Sequence, residues 1–189
     1  MWRSTCLAAG ISCLLMAACG APSEPVDRLD AHPVAAGATV AHAGADVRLI
    51  NMKDACQSES FGAAGVDCLR NGGVLFDKFL TQLGKHGIMR AWHFAPAVVR
   101  AKVGQTLMAV NRGGEEHTFT EVEEFGGGIV PALNALSGNP EVAPECLALE
   151  DDDFIQPGGF DADDEVEAPG TEHYQCCIHP WMRTTVIAN

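Results

Sequence analysis

The chain has 189 residues, 47% hydrophobic and 20% charged, which is the composition of a globular domain with appendages. Twelve basic residues against 25 acidic ones give a net charge of −13, and this excludes a general nucleic-acid binder, whose phosphate contacts need a basic face. After the first twenty residues no apolar run of about 18 residues occurs, so no membrane-spanning helix is expected.

Residues 1–18 read as an export leader, with Arg3 ahead of an apolar stretch from Cys6 to Ala18. The run Leu15-Met16-Ala17-Ala18-Cys19-Gly20 resembles a bacterial lipobox, which implies a lipid on Cys19 as the only membrane attachment and a place in the periplasm or cell envelope. Simple cleavage that leaves a soluble periplasmic protein is the alternative. Residues 19–45, rich in Ala, Gly and Pro, read as a flexible linker in which His32 and His42 are solvated.

Residues 46–90 read as a strand and helix extension. A strand is expected over Asp46–Met52, with Val47 and Leu49 on one face and Arg48 and Ile50 on the other. Between Asn71-Gly72-Gly73 and Gly84 or Gly87, the three- and four-residue spacing of Val74, Leu75, Phe79, Leu80 and Leu83 predicts a helix over Val74–Lys85. From residue 91 the period becomes two. Trp92, Phe94, Val99, Ala101 and Val103 share a face, and Leu107 and Ala109 alternate with Met108 and Val110. Further strands are expected at Thr118–Val122, Glu165–Val166, His173–Cys177 and Thr184–Ile187, with an irregular excursion over 126–153. Short strands between Gly and Pro turns predict an all-β, antiparallel sandwich of two sheets. A monomer is expected.

Export changes how the cysteines are read, because disulfides persist in oxidising compartments. Of eight, Cys6 and Cys13 leave with the leader and Cys19 carries the lipid. Five remain, and the odd number assigns one thiol a separate task. If Cys176 holds a metal, the other four form two bridges, Cys56 with Cys68 and Cys146 with Cys177.

The densest chemistry lies in Tyr174-Gln175-Cys176-Cys177-Ile178-His179-Pro180-Trp181-Met182, which spaces thiolate, imidazole and thioether as C-x-x-H-x-x-M. With His117 these residues make up the His₂Cys-plus-axial-Met set of a blue-copper site. The stretch Cys176–Val186 resembles the ligand loop of cupredoxins, with the short His-to-Met spacing of the amicyanin type rather than plastocyanin. Phe94-x-Pro96, Val103-Gly104-x-Thr106, Asn111 and His117-Thr118-Phe119 are placed as in that family. The resemblance spans about residues 91–189 and implies a Greek-key β-sandwich. It also implies one type 1 copper held by His117, Cys176 and His179 with Met182 as weak axial ligand. This chain departs from the family in Cys177, in the insertion 126–153 and in the added residues 46–87.

Other readings of the same residues stand beside this one. Cys176 and Cys177 could be structural partners, with His179 and Met182 as loop and core. Cys177 as the ligand would give C-x-H, too short for both groups to reach one ion, and its side chain should leave the opposite face of the strand. Zinc suits methionine poorly. His93 reads as a packed or edge residue and His173 as surface. Gly126-Gly127-Gly128 lacks the lysine of a phosphate loop. Glu150-Asp151-Asp152-Asp153, continued by Asp161, Asp163, Asp164, Glu165 and Glu167, is a solvated face that could also steer a basic partner.

The expectation is therefore an electron carrier, not an enzyme, with a redox partner protein such as a c-type cytochrome or a copper oxidase. His179, Pro180 and Trp181 would form its apolar exit patch, and Asn111 would tie the ligand loops together. A copper-sequestering or copper-delivery module without a redox partner is the alternative.

Overall fold

A computed structural model describes residues 46–162 and 164–189. The expected leader 1–18, the linker 19–45, the lipid site Cys19, and His32 and His42 lie outside the described residues.

Two four-stranded sheets face each other. The first is built from β1 (Val47–Lys53), β2 (His93–Ala95), β4 (Thr106–Asn111) and β6 (Phe160–Asp161), in the order β2-β1-β4-β6. The second holds β3 (Val98–Ala101), β5 (Thr120–Val122), β7 (Gly170–Gln175) and β8 (Arg183–Ala188), in the order β3-β8-β7-β5. The all-β sandwich is as expected, but it is not wholly antiparallel. β1 runs parallel to β4 from Val47 opposite Thr106 to Met52 opposite Asn111, and β3 runs parallel to β8. Parallel pairs need long crossovers, and the chain between their members supplies them.

β1 lies between β2 and β4, so residues 46–90 complete the first sheet as well as extending it. Of its two faces, the one that carries Ile50 turns inward. Ile50 and Met52 are fully buried, whereas Leu49 is 46% exposed. The register decides this, since Ile50 sits opposite Ala109 and Met52 opposite Asn111, both pointing inward, and a shift of one residue would invert the face. Glu165, expected in a strand, makes a single bridge to Thr106, while β6 takes the sheet edge.

Three α-helices occur among the described residues. α1 (Ser58–Ala63) begins where the Gln57 side chain accepts the Ser60 N–H at 2.6 Å. α2 (Phe76–His86) is the expected amphipathic helix, burying Phe79 and Leu83 and ending at Gly87 with φ 69°. Gly84 stays inside the helix, where a Cβ would stand 3.2 Å from the Leu136 side chain of α3 (Pro131–Ser137). α3 lies within the 126–153 excursion, which is thus partly helical rather than irregular; the short spacing of its apolar residues hid it.

The core joins the sheets through Phe94, Phe119 and Tyr174, the last two stacked with ring centroids 4.5 Å apart. A second aromatic group, Phe61, Phe76, Phe79 and Trp92, comes from α1, α2 and the chain before β2. It closes one end of the sandwich over loop 176–182.

Candidate metal centre

Cys176 follows β7, Met182 precedes β8, and the loop between them is drawn tight by its own backbone. Cys176 N donates to Met182 O at 3.0 Å, and Met182 N to His179 O at 2.8 Å. Arg183 braces the loop from outside, its Nε donating to Pro180 O at 2.6 Å and its Nη2 to Asn139 Oδ1 at 2.8 Å. His117 comes from the strand-like segment before β5, where it exchanges backbone hydrogen bonds with Ile155.

These two stretches bring three donor atoms together. Cys176 Sγ lies 3.8 Å from His117 Nδ1 and 3.8 Å from His179 Nδ1, and the three donors all fall within 4.8 Å of one another. All three are buried, with Cys176 and His117 at 0% exposure and His179 at 2%. Met182 is also fully buried and is held to Cys176 and His179 through the backbone. The sulfur accepts N–H groups from Thr118 and His179, both at 3.4 Å.

Burial pushes the Cys176 thiol up, but the two imidazoles beside it outweigh that and hold it well below the ordinary cysteine value. Burial pulls His117 down, while its hydrogen bond to Asp54 and the neighbouring thiolate push it up to about 9.

The far nitrogens of both rings face carboxylates, and nothing in the sequence pattern had marked these. His117 Nε2 donates to Asp54 Oδ2 at 3.0 Å, and His179 Nε2 lies 3.8 Å from Glu115 Oε2. Burial pushes Asp54 up, but His117 and the backbone N–H of Glu115 bring it below the ordinary carboxylate range. Glu115 is raised, chiefly by burial, against the opposing pull of His179 and of the Trp92 indole N–H.

Asp54 approaches this closely because Gly113 and Gly114 have no side chains. A Cβ on Gly113 would stand 1.8 Å from Asp54 Oδ2, and one on Gly114 2.7 Å from Cys56 Sγ. The Gly-Gly pair was the available signal of a close approach. Asp54 and Glu115 also form a group with Cys56, but that sulfur is bonded to Cys68 and offers no thiolate.

The cysteines divide as parity required: Cys56 is bonded to Cys68 and Cys146 to Cys177, and Cys176 is free and buried. Cys177 leaves on the other side from Cys176 and packs with Val122, Ala143 and Cys146. The glycine run 126–128 belongs to this packing, since a Cβ on Gly128 would stand 1.9 Å from Cys177 O. His93 is exposed on its strand, and His173 packs against Phe125 at 4.6 Å, away from the donors. Asn111 is fully buried and donates to Glu115 O and Ile155 O, both at 2.8 Å, tying the turn before His117 to residue 155.

The expected exit patch is not at the surface. His179 and Pro180 are buried, and only Trp181 is partly exposed. Phe79 of α2 sets its ring edge-on to His179 at 6.5 Å and lies 6.0 Å from Trp181. The segment absent from the family pattern therefore covers the site. His179 and Glu115 reach solvent along a cleft of about 530 Å³ that runs past Val66, Leu69 and Ile178.

The donor set fits a copper ion. For metal–nitrogen and metal–sulfur bonds of about 2.0 and 2.3 Å, nitrogen and sulfur sharing one ion lie about 3.5–3.7 Å apart. The two observed separations of 3.8 Å are close to that. Two imidazoles, one thiolate and an adjacent buried methionine form the set that selects copper.

No family model matches the chain, and no curated protein does. Among solved structures it is similar to cupredoxins. A purple cupredoxin from Nitrosopumilus maritimus is 18% identical with a TM-score of 0.40, over 54% of this chain and 87% of that one. An amicyanin variant in its Cu(I) form is 20% identical with a TM-score of 0.35, over 51% of this chain and 73% of that one. Oxidised plastocyanin from Dryopteris crassirhizoma is 16% identical with a TM-score of 0.34, over 52% of this chain and 89% of that one.

Proposed function

We propose that this chain binds one copper ion through His117, Cys176 and His179, with Met182 as a weak axial ligand, and carries single electrons. The observation behind this is the buried triangle of two imidazole Nδ1 atoms around one free cysteine sulfur. Copper held this way supplies a Cu(II)/Cu(I) couple. The protein's part is to keep the donors still: loop 176–182 is closed by its own hydrogen bonds, and the Thr118 and His179 N–H groups fix the sulfur. The surrounding aromatic rings exclude water.

The partner that suits this surface is a redox protein with a basic face. Glu121, Glu123, Glu124, Glu145 and Glu172 surround one surface cleft, and Glu121, Glu165, Glu167 and Glu172 border another. Such a field steers a cationic partner and raises its rate of encounter. Electrons would pass through the cleft beside His179, since the imidazole itself is covered. The two disulfides support a place in the cell envelope, in line with the leader read from residues 1–18.

That covering of His179 favours a second reading, copper sequestration, in which the ion is held without a redox partner. Copper titration followed by reduction tests both. The proposal expects about one equivalent of Cu(II), an intense visible thiolate-to-copper absorption, and rapid reversible bleaching by a cytochrome. Slow exchange with retained colour would favour sequestration, and a protein that stays colourless would overturn the copper site.

A further inference from the structure

We propose that Asp54 and Glu115 are positioning residues for the ion, a pair of buried carboxylates behind the two imidazoles that fix the rings and weight the site towards the divalent state. The inference rests on the copper reading above. An imidazole can present either nitrogen to a metal, and the hydrogen bond made by the other decides which. At His117, Nε2 donates a hydrogen bond to Asp54 Oδ2 at 3.0 Å, so that Nδ1 is the nitrogen turned towards Cys176. At His179 the same nitrogen faces Glu115 Oε2 at 3.8 Å, and Nδ1 again faces the sulfur. The side chains of Asp54 and Glu115 are 1% and 7% exposed.

Both carboxylates are held by donors from the covering segment and the turn before His117. Asp54 Oδ2 accepts Gly114 N at 2.7 Å and Glu115 N at 3.1 Å, and Oδ1 accepts Cys56 N at 3.2 Å. Glu115 Oε2 accepts the Trp92 indole N–H at 2.5 Å. Cys56 is in turn anchored by its bond to Cys68. A carboxylate is thus built into the fold behind each ring, hydrogen-bonded to His117 and 3.8 Å from His179. With the Cys176 thiolate, two carboxylates bring the negative groups around the ion to three. Adding an electron to an ion in that surrounding is disfavoured, so Cu(II) is favoured over Cu(I).

The test is the reduction potential of Asp54→Asn and Glu115→Gln, read together with their visible spectra and with Zn(II) affinity of the copper-free proteins. Each variant should keep the thiolate-to-copper absorption. Its preference for Cu(II) over Cu(I) should fall about tenfold, a rise of about 59 mV for a one-electron couple. Zn(II) affinity of Asp54→Asn should fall by about 10–100-fold. Coloured variants with wild-type potential and Zn(II) affinity would overturn this inference and leave the copper site standing. A wild-type protein that takes up no copper would overturn both. Should Asp54→Asn fail to fold, Glu115→Gln decides by its potential, because among the described residues the Glu115 carboxylate accepts a single N–H, that of Trp92.

Discussion

Loop 176–182 and the stretch from Asp54 to Trp92 enclose one pocket by different means. The loop supplies the thiolate and one imidazole within four residues of chain, held by hydrogen bonds the loop makes with itself. The earlier stretch supplies no donor that faces the sulfur. It provides Asp54, the Trp92 N–H that holds Glu115, and the Phe79 ring over His179, and each reaches the pocket across more than twenty residues of sequence. Two of the three donors are local to one loop, whereas His117 and the groups that surround the donors reach the pocket from far along the chain.

That division can be broken at either end. The largest effect is expected from Cys176→Ser, which removes the only free thiol among the described residues and should abolish the thiolate-to-copper absorption in a copper titration. Retained colour would mean the sulfur was misassigned. Phe79→Ala attacks the cover instead. It should cost about 3–5 kcal/mol in urea denaturation, because a 2%-exposed aromatic leaves a cavity, while copper binding survives. If copper binding is lost as well, cover and donors are not separable.

Replacing Cys146 and Cys177 together with Ser opens a loop of 31 residues and should cost about 3–4 kcal/mol. The visible spectrum should stay unchanged, since neither sulfur is among the donors. Copper removal measures the pocket from inside. Saturation at a hundredfold excess over Kd should add about 2.7 kcal/mol of stability, read as a rise in Tm over the copper-free protein. The smallest change is expected from Glu121→Gln with Glu172→Gln, within about 0.5 kcal/mol for these surface groups. Their loss should instead slow association with a cationic redox protein at low salt, measured by stopped flow, and leave the spectrum untouched.

The sandwich and the donor set were legible because they rest on local signals. Alternation marked the buried face at Phe94, Val99, Ala101, Leu107 and Ala109, although Val103, expected among them, is 45% exposed beside the turn at Gly104, and C-x-x-H-x-x-M placed three side chains on one tight loop. Parity, with Cys176 set aside as a ligand and Cys56 close to Cys68 in sequence, paired the four structural cysteines. The parallel pairing of β1 with β4 was not legible, because the pairing partner is a matter of topology and not of period. Nor was the inward face of β1, which depends on a register of one residue opposite Ala109. Asp54 and Glu115 carry no pattern of their own. Their role follows from the absence of side chains at Gly113 and Gly114, a close approach that the sequence presents only as a turn.

The most direct test of the account is an anomalous-diffraction map of copper-loaded crystals. The account predicts one peak inside the triangle of His117 Nδ1, Cys176 Sγ and His179 Nδ1, with Asp54 and Glu115 behind the rings and off the metal. A peak bonded to those carboxylates, or none within that triangle, would contradict it.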